Sequence, residues 1–116
     1  MSCGLSWGSP MSAVEISVEN PSSDLTVLHL SGEFEGIAAL DAKEKLLQYA
    51  QTQVKPNMMI DLAQVEYIDS AAIGILLEMA RMLKVKKIKV GLIHVAEPVR
   101  KVLEITKIDK ILPILD

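Results

Sequence analysis

The stretch MMIDLAQVEYIDSAAIGILLEMARMLK, residues 58–84, contains in direct succession a buried strand, a polar loop and a long helix. Residues 58–65 are short, apolar and preceded by the breaker Pro56, as expected of a strand in the middle of a sheet. From residue 70 to about residue 84 the apolar side chains recur with helical spacing. A strand that leads through a loop into a helix is the first half of a β–α–β unit, so this stretch indicates an α/β fold.

The residues before this stretch predict a β-hairpin followed by a helix. Residues 14–19 alternate apolar and polar side chains, which is the period of a half-buried strand. A turn cluster at 20–24 separates them from LTVLHLS at 25–31, a second predicted strand. From 37 to 51 the apolar spacing becomes helical, so we expect a helix between the hairpin and the buried strand.

The residues after this stretch predict a further strand and helix. Residues 87–95 alternate as a strand, and Pro98 fits the first turn of a helix from residue 97 to about 105. Residues 111–115 are expected to form a short last strand at the edge of the sheet, because Pro113 cannot donate to a central ladder. The order ββαβαβα with a final β predicts a mixed sheet with right-handed crossovers.

The carboxyl ends of the predicted strands bring three loops to one end of the domain. In open α/β sheets, functional groups gather beyond these ends of the strands. The loops comprise residues 32–36, 66–72 and 94–98. We therefore expect the functional site at this end.

The composition excludes several classes of function. The net charge is −3 and aromatic residues make up 3%, which argues against a nucleic-acid binder. The single Cys3 and two histidines cannot build a Cys/His zinc site, and no nucleotide-binding glycine motif is present. No apolar run approaches the ~20 residues of a membrane span, so we expect no direct membrane insertion. The sequence predicts a cytoplasmic protein without metal or cofactor.

Charge and composition are unevenly distributed along the chain. Residues 1–13 carry no charge and are rich in Ser, Gly and Pro, so we interpret them as a flexible leader, natural or left from cloning. Residues 14–116 are predicted to form a single domain. Residues 1–80 hold 3 basic and 11 acidic side chains, a balance of −8, whereas 81–116 hold 9 basic and 4 acidic, a balance of +5.

Ser70 follows Asp69 where the central stretch enters its helix. A serine there is first of all an N-cap, worth about 1 kcal/mol, and Asp69 could serve in the same way. The hydroxyl also lies at the positive end of the helix, where a phosphate is favourable. The segment lacks the glycines of the Gly-x-Ser-x-Gly nucleophile motif. An enzyme or ligand carrier that uses His94 and the acidic loop is therefore the least favoured alternative.

The helix after Ser70 is apolar over more of its circumference than one buried face requires. Its expected core face consists of Ile73, Leu76, Leu77 and Ala80. We predict that a second apolar stripe is exposed and binds a partner protein, since methionine suits adaptable contacts. This stripe consists of Ala72, Ile75, Met79 and Met82. A helix wedged between two elements and a homodimer contact are the alternatives.

Three segments carry a resemblance that extends over about 14–115. DLAQVEYIDSAAIG at 61–74, followed by an apolar helix, resembles the STAS domain of bacterial anti-sigma-factor antagonists. LHLSGEFE at 28–35 is similar to that family's Gly-Glu/Asp-Leu/Ile-Asp loop, and AEPVRKVLEITKIDKIL at 96–112 to its last helix and closing segment. The resemblance implies a STAS-like α/β fold, with a mixed four- or five-stranded sheet and about three to four helices.

The resemblance also implies a function and a set of site residues. Ser70 corresponds to the serine that a GHKL-type anti-sigma-factor kinase phosphorylates. In that family the unphosphorylated antagonist binds the anti-sigma factor and frees the sigma factor. Phosphorylation breaks this complex, and a phosphatase restores the binding form. Asp69 corresponds to the acidic neighbour that shapes the loop, and Glu33 and Glu35 to the adjacent loop near the kinase contact. The chain departs from the family at Ala72, where glycine is common, and at Glu35, where aspartate is usual. The alternative is a non-phosphorylated STAS scaffold subunit of a stressosome-like or membrane-transport complex.

Overall fold

A computed structural model describes residues 14–115 of the chain. The predicted leader at 1–13 lies outside the described residues, as does Asp116. The strands are β1 (Glu15–Ser22), β2 (Leu25–Ser31), β3 (Asn57–Gln64) and β4 (Lys89–Ile93). The helices are α1 (Gly36–Thr52), α2 (Ser70–Val85) and α3 (Glu97–Ile105), followed by a short 3-10 turn at Ile108–Lys110.

The four strands form one mixed sheet in the order β1-β2-β3-β4. The hairpin pair β1 and β2 is antiparallel, whereas β3 runs parallel to both β2 and β4. This confirms the predicted α/β fold with a mixed sheet. Strand β1 continues through Pro21 to Ser22, beyond the predicted end at residue 19, with an irregular register after Glu19. A proline is tolerated there because β1 lies at the edge of the sheet and the register is irregular.

Both parallel crossovers step across the sheet in the same direction. Right-handed crossovers then place α1 and α2 on the same face. The two helices contact each other: Lys86 Nζ, just after α2, donates to Ala50 O of α1 at 3.1 Å. The strand side chains beneath them form the core with the helices, and they include Leu28, Leu30, Met58, Ile60, Leu62 and Leu92. His29 and Asp61 project from the opposite face of the sheet.

Strand β4 is shorter than the predicted 87–95, because the backbone leaves the extended region at both ends. Lys87 has φ 63° and His94 has φ 56°, both in the left-handed region. The predicted strand at 111–115 is reduced to a single bridge between Leu92 and Ile114. Leu92 N–H donates to Pro113 O and Leu115 N–H donates to Leu92 O, each at 2.8 Å. Pro113 has no N–H to extend this ladder.

The prediction that α2 carries an exposed apolar stripe is wrong for most of its members. Ala72, Ile75 and Met79 are buried with at most 2% exposure, and Met82 is half-buried. Of the expected core face, Leu76 and Ala80 are buried, whereas Ile73 and Leu77 are half-buried. The reason is that α2 packs on the sheet and on α1 at once, so two of its faces are covered. The wide apolar arc is explained by the alternative interpretation, a helix that packs between two elements.

Candidate functional site

Asp69 joins the loops that follow β2 and β3. It is the N-cap of α2, and its Oδ1 accepts a hydrogen bond from Ala72 N–H at 3.1 Å. Its Oδ2 accepts from Gly36 N–H, the first residue of α1, at 2.8 Å. One carboxylate therefore caps the starts of two helices, and it fixes the two loops to each other. The cap position of α1 itself is Glu35, whose side chain forms no capping bond.

The ionised form of Asp69 suits this role. Partial burial disfavours the charge, but the hydrogen bonds from the backbone N–H groups of Ala72 and Gly36 outweigh it, and the pKa of Asp69 is lowered. The positive ends of both helices add to this preference for an anion. Asp69 is therefore charged, and its hydrogen bonds hold the two loops of the site together.

Ser70 is the first residue of α2, and its side chain is exposed. Because Asp69 takes the capping position, the predicted N-cap role of Ser70 is wrong. The Ser70 hydroxyl forms no hydrogen bond with any residue of the described range 14–115. The hydroxyl lies at the start of the helix and is thus available to solvent or to a partner protein.

The loops around Ser70 carry acidic side chains that stay exposed. Glu33 and Glu35 lie between β2 and α1, and Glu66 lies between β3 and α2. Within the described part of the chain, none of the three carboxylates forms an ion pair. Together with Asp69 they place four carboxylates at this end of the molecule.

Exposed apolar side chains lie at the same end. Tyr67 precedes Asp69 by two residues and is 61% exposed. Ile37 and Leu40, at the start of α1, are 77% and 57% exposed. The predictions from the sequence did not include these exposed side chains. The helical spacing of α1 does place Leu40 outside the core. Residue 40 lies about 100° from residue 39 around the helix. The buried face follows Ala39, Ala42, Leu46 and Ala50.

The structure separates the predicted partner-binding residues into two groups. Glu33 and Glu35 are exposed beside Ser70, and Asp69 is half-buried in the loop. The buried Ala72, Ile75 and Met79 cannot meet a partner without unfolding of α2. Half-buried Met82 lies about three turns from Ser70 along the helix.

The two histidines form a second cluster, on the sheet face opposite α1 and α2. His29 Nδ1 lies 2.7 Å from Asp61 Oδ2, and His29 Nε2 lies 2.7 Å from Glu19 Oε1. His94 Nδ1 lies 3.1 Å from the other oxygen of Asp61. His94 therefore contacts Asp61 of β3, which places it in this cluster. Asp61 Oδ1 also accepts from Ala63 N–H at 2.9 Å.

The cluster favours the charged forms of His29 and Asp61. The hydrogen bonds to Glu19 and then Asp61 raise the pKa of His29 against the small opposing effect of burial. Burial raises the pKa of Asp61, but the hydrogen bonds from Ala63 N–H, His29 and His94 outweigh it and lower the pKa. Among residues 14–115, no three His, Cys, Asp or Glu side chains are arranged to hold a metal ion. The cluster ties edge strand β1 to the middle of the sheet.

Two comparisons with known proteins agree with this architecture. The family model of the STAS domain matches residues 15–116. An anti-sigma factor antagonist from Mycobacterium paratuberculosis is 24% identical, with 91% of this chain and 88% of that chain covered and a TM-score of 0.77. No helix in the described range is both long and apolar enough to cross a bilayer.

Structures of SpoIIAA are similar to this chain as well. The anti-sigma factor antagonist SpoIIAA in its unphosphorylated form is 18% identical, with a TM-score of 0.71 over 88% of this chain and 89% of that chain. The Bacillus cell fate determinant SpoIIAA in the phosphorylated form is 17% identical, with a TM-score of 0.65 over 88% and 92%. At these identities the similarity concerns the fold.

Proposed function

Since this chain belongs to the STAS domain family, we propose that it is a cytoplasmic anti-sigma-factor antagonist controlled by phosphorylation of Ser70. In this proposal the unmodified protein binds a GHKL-type anti-sigma-factor kinase through the end of the domain that carries Ser70. Phosphorylation releases the kinase, and a phosphatase restores the binding form. The observation that carries the proposal is the exposed Ser70 hydroxyl, which has no structural task because Asp69 caps the helix.

The electrostatics of the loops support a switch that acts by repulsion. A phosphate on Ser70 adds a charge of about −1.5 to −2 at neutral pH. It would lie beside Asp69, and within residues 14–115 the exposed Glu33, Glu35 and Glu66 have no cationic partner. The helix start offers little compensation, since the Ala72 and Gly36 N–H groups already donate to Asp69. The added charge therefore meets a negative surface at the contact itself.

The exposed apolar patch supports a protein partner at this end. Ile37, Leu40 and Tyr67 provide aliphatic and aromatic area, and acidic side chains lie around them. An apolar centre with a polar rim is the usual anatomy of a protein interface. The contact residues we propose are these three with Glu33 and Glu35. This set replaces the buried stripe of α2.

Phosphorylation is tested with the purified chain, ATP and a GHKL-type kinase encoded in the same genome. We expect one phosphate, mapped by mass spectrometry to Ser70, and no incorporation in Ser70→Ala. Ser23→Ala is the matched control, because Ser23 is an exposed serine in the β1–β2 turn. Full labelling of Ser70→Ala would refute the phosphorylation site.

The binding switch is tested separately by titration calorimetry with the same kinase. Ser70→Glu should weaken binding by about tenfold or more, because complex formation would bury the added charge beside the carboxylates of this chain's own loops. Ser23→Glu adds the same charge elsewhere and should bind like the original chain. Tyr67→Ser tests the apolar patch and should weaken binding without lowering thermal stability. Binding that is unaffected by Ser70→Glu would favour the scaffold alternative.

A further inference from the structure

A groove lies beside the C-terminal half of α2, far from Ser70. Its volume is about 640 Å³, within the range of small-ligand sites. Ala80, Arg81 and Lys84 of α2 line one side. The other side is lined by Lys110, Ile111, Pro113 and Leu115. The start of β4 and Met58 of β3 also contribute to its walls. Along α2, Lys84 is about 21 Å from Ser70, at a rise of about 1.5 Å per residue.

The groove combines an apolar interior with a cationic rim. The apolar side chains that an occupant can reach include the half-buried Val90, and Ile111 and Leu115, which are 53% and 52% exposed. The charged residues that line the groove are all basic: Arg81, Lys84, Lys89 and Lys110. None of these four side-chain charges forms an ion pair or a hydrogen bond with another residue in the described range. Four cations and no acidic residue line this cavity, so its charge is opposite in sign to the net charge of −3 of the whole chain.

This combination selects the chemistry of an occupant. Apolar walls favour a hydrocarbon chain, and unpaired cations at the rim favour an anionic head group.

We propose that this groove binds a single-chain anionic amphiphile, such as a long-chain fatty-acid carboxylate. The acyl chain lies along Val90, Ile111 and Leu115, and the carboxylate accepts hydrogen bonds from the cations of the rim. This site is independent of Ser70 and of the proposed contact with a kinase.

Binding is tested by amide NMR titration with sodium dodecanoate, kept below its critical micelle concentration. We expect saturable shifts at Arg81, Lys84, Val90 and Ile111, with none at Ser70. Dodecyl maltoside carries the same chain without charge, and acetate carries the head group without a chain; both should bind far more weakly. Equal binding of dodecyl maltoside, or shifts centred elsewhere, would overturn the proposal.

Two variants test the rim and the interior. The triple variant Arg81→Gln, Lys84→Gln and Lys110→Gln should bind dodecanoate about tenfold more weakly, as the loss of exposed ion pairs predicts. Its control changes Lys43, Lys45 and Lys101 to Gln, an equal loss of charge outside the groove. Ile111→Asp should abolish binding, whereas Ile105→Asp, at a 78% exposed position outside the groove, should not. Equal affinities of the two triple variants would contradict the proposed rim.

Sedimentation with phosphatidylglycerol vesicles separates the amphiphile from a membrane surface. We expect no more protein on these vesicles than on neutral phosphatidylcholine vesicles. Strong sedimentation with the anionic vesicles, without dodecanoate binding, would assign the basic rim to a bilayer and overturn the proposal. Circular dichroism melting of each variant shows whether its fold is retained.

Discussion

At the scale of single residues, Asp69 connects the starts of two helices. Its two oxygens accept hydrogen bonds from Ala72 and Gly36, which start different helices. This holds the Ser70 loop against the start of α1 and leaves the Ser70 hydroxyl unused. The residue next to the proposed phosphorylation site is therefore the one that fixes its geometry.

Replacing Asp69 by Ala should destabilise the domain by about 1–3 kcal/mol, because two helix starts lose a capping acceptor. Asp69→Asn keeps one oxygen and should cost less. The free energy of unfolding from urea denaturation measures both effects. Glu35→Ala is the control, since the Glu35 side chain forms no capping bond, and it should change stability little.

The same carboxylate should contribute to acid sensitivity. Its pKa is lowered in the folded state, so its stabilisation is present above the unfolded pKa and is lost as pH falls through the folded pKa. The wild-type chain should therefore lose more stability than Asp69→Asn between pH 5 and pH 3. This range includes the pKa of about 3.9 that an aspartate has in the unfolded chain. Parallel pH curves for the two proteins would contradict this.

His29 should give a pH dependence of the opposite sign. Its pKa is raised by Glu19 and Asp61, so its contribution is complete below the unfolded value of 6.5 and is lost as pH rises through the folded pKa. Urea unfolding from pH 6 to pH 9 should show this loss in the wild-type chain and not in His29→Gln. An NMR titration of the His29 ring should give a midpoint above that of an unfolded histidine peptide.

At the scale of elements, the packing of α2 decides whether its apolar arc is buried or exposed. Its apolar arc fits both an exposed interaction stripe and a helix covered on two sides, because periodicity records only which faces are apolar. Both α1 and the sheet contact this helix, and Ile75 and Met79 are buried in the shared core. What the sequence suggested as a surface is part of the core.

A pair of aspartate substitutions in α2 tests this assignment. Ile75→Asp buries an unpaired charge and should destabilise the domain by more than about 3 kcal/mol, enough to unfold much of it. Val85→Asp, at the 84% exposed end of the same helix, should cost less than about 1 kcal/mol. Thermal melting followed by circular dichroism distinguishes them, and a stably folded Ile75→Asp would restore the exposed stripe.

At the scale of the whole molecule, the last residues complete the domain. Leu112 is fully buried in the core that α1, α2 and α3 share with the sheet. The backbone of Pro113 and Leu115 pairs with Leu92 and covers part of the outer edge of β4. The segment after α3 is thus part of the cooperative unit.

Leu112→Ala should therefore destabilise the whole domain by about 2–5 kcal/mol, as for other fully buried leucines. Ile111→Ala, at the neighbouring 53% exposed position, should cost less than about 1 kcal/mol. Urea unfolding should remain a single transition in both variants. A second, earlier transition in Leu112→Ala would show that the segment unfolds separately.

The order of elements, the hairpin and the start of α2 at Ser70 followed from the sequence, because alternation, helical spacing and breakers act over a few residues. The burial of Ile75, the two caps of Asp69 and the histidine cluster did not. Gly36 and Asp69 are 33 residues apart, and His29 and Asp61 are 32 apart. Local patterns fix which side chains are apolar or charged, but only the packing of α1 against α2 and of β2 beside β3 decides which of them meet.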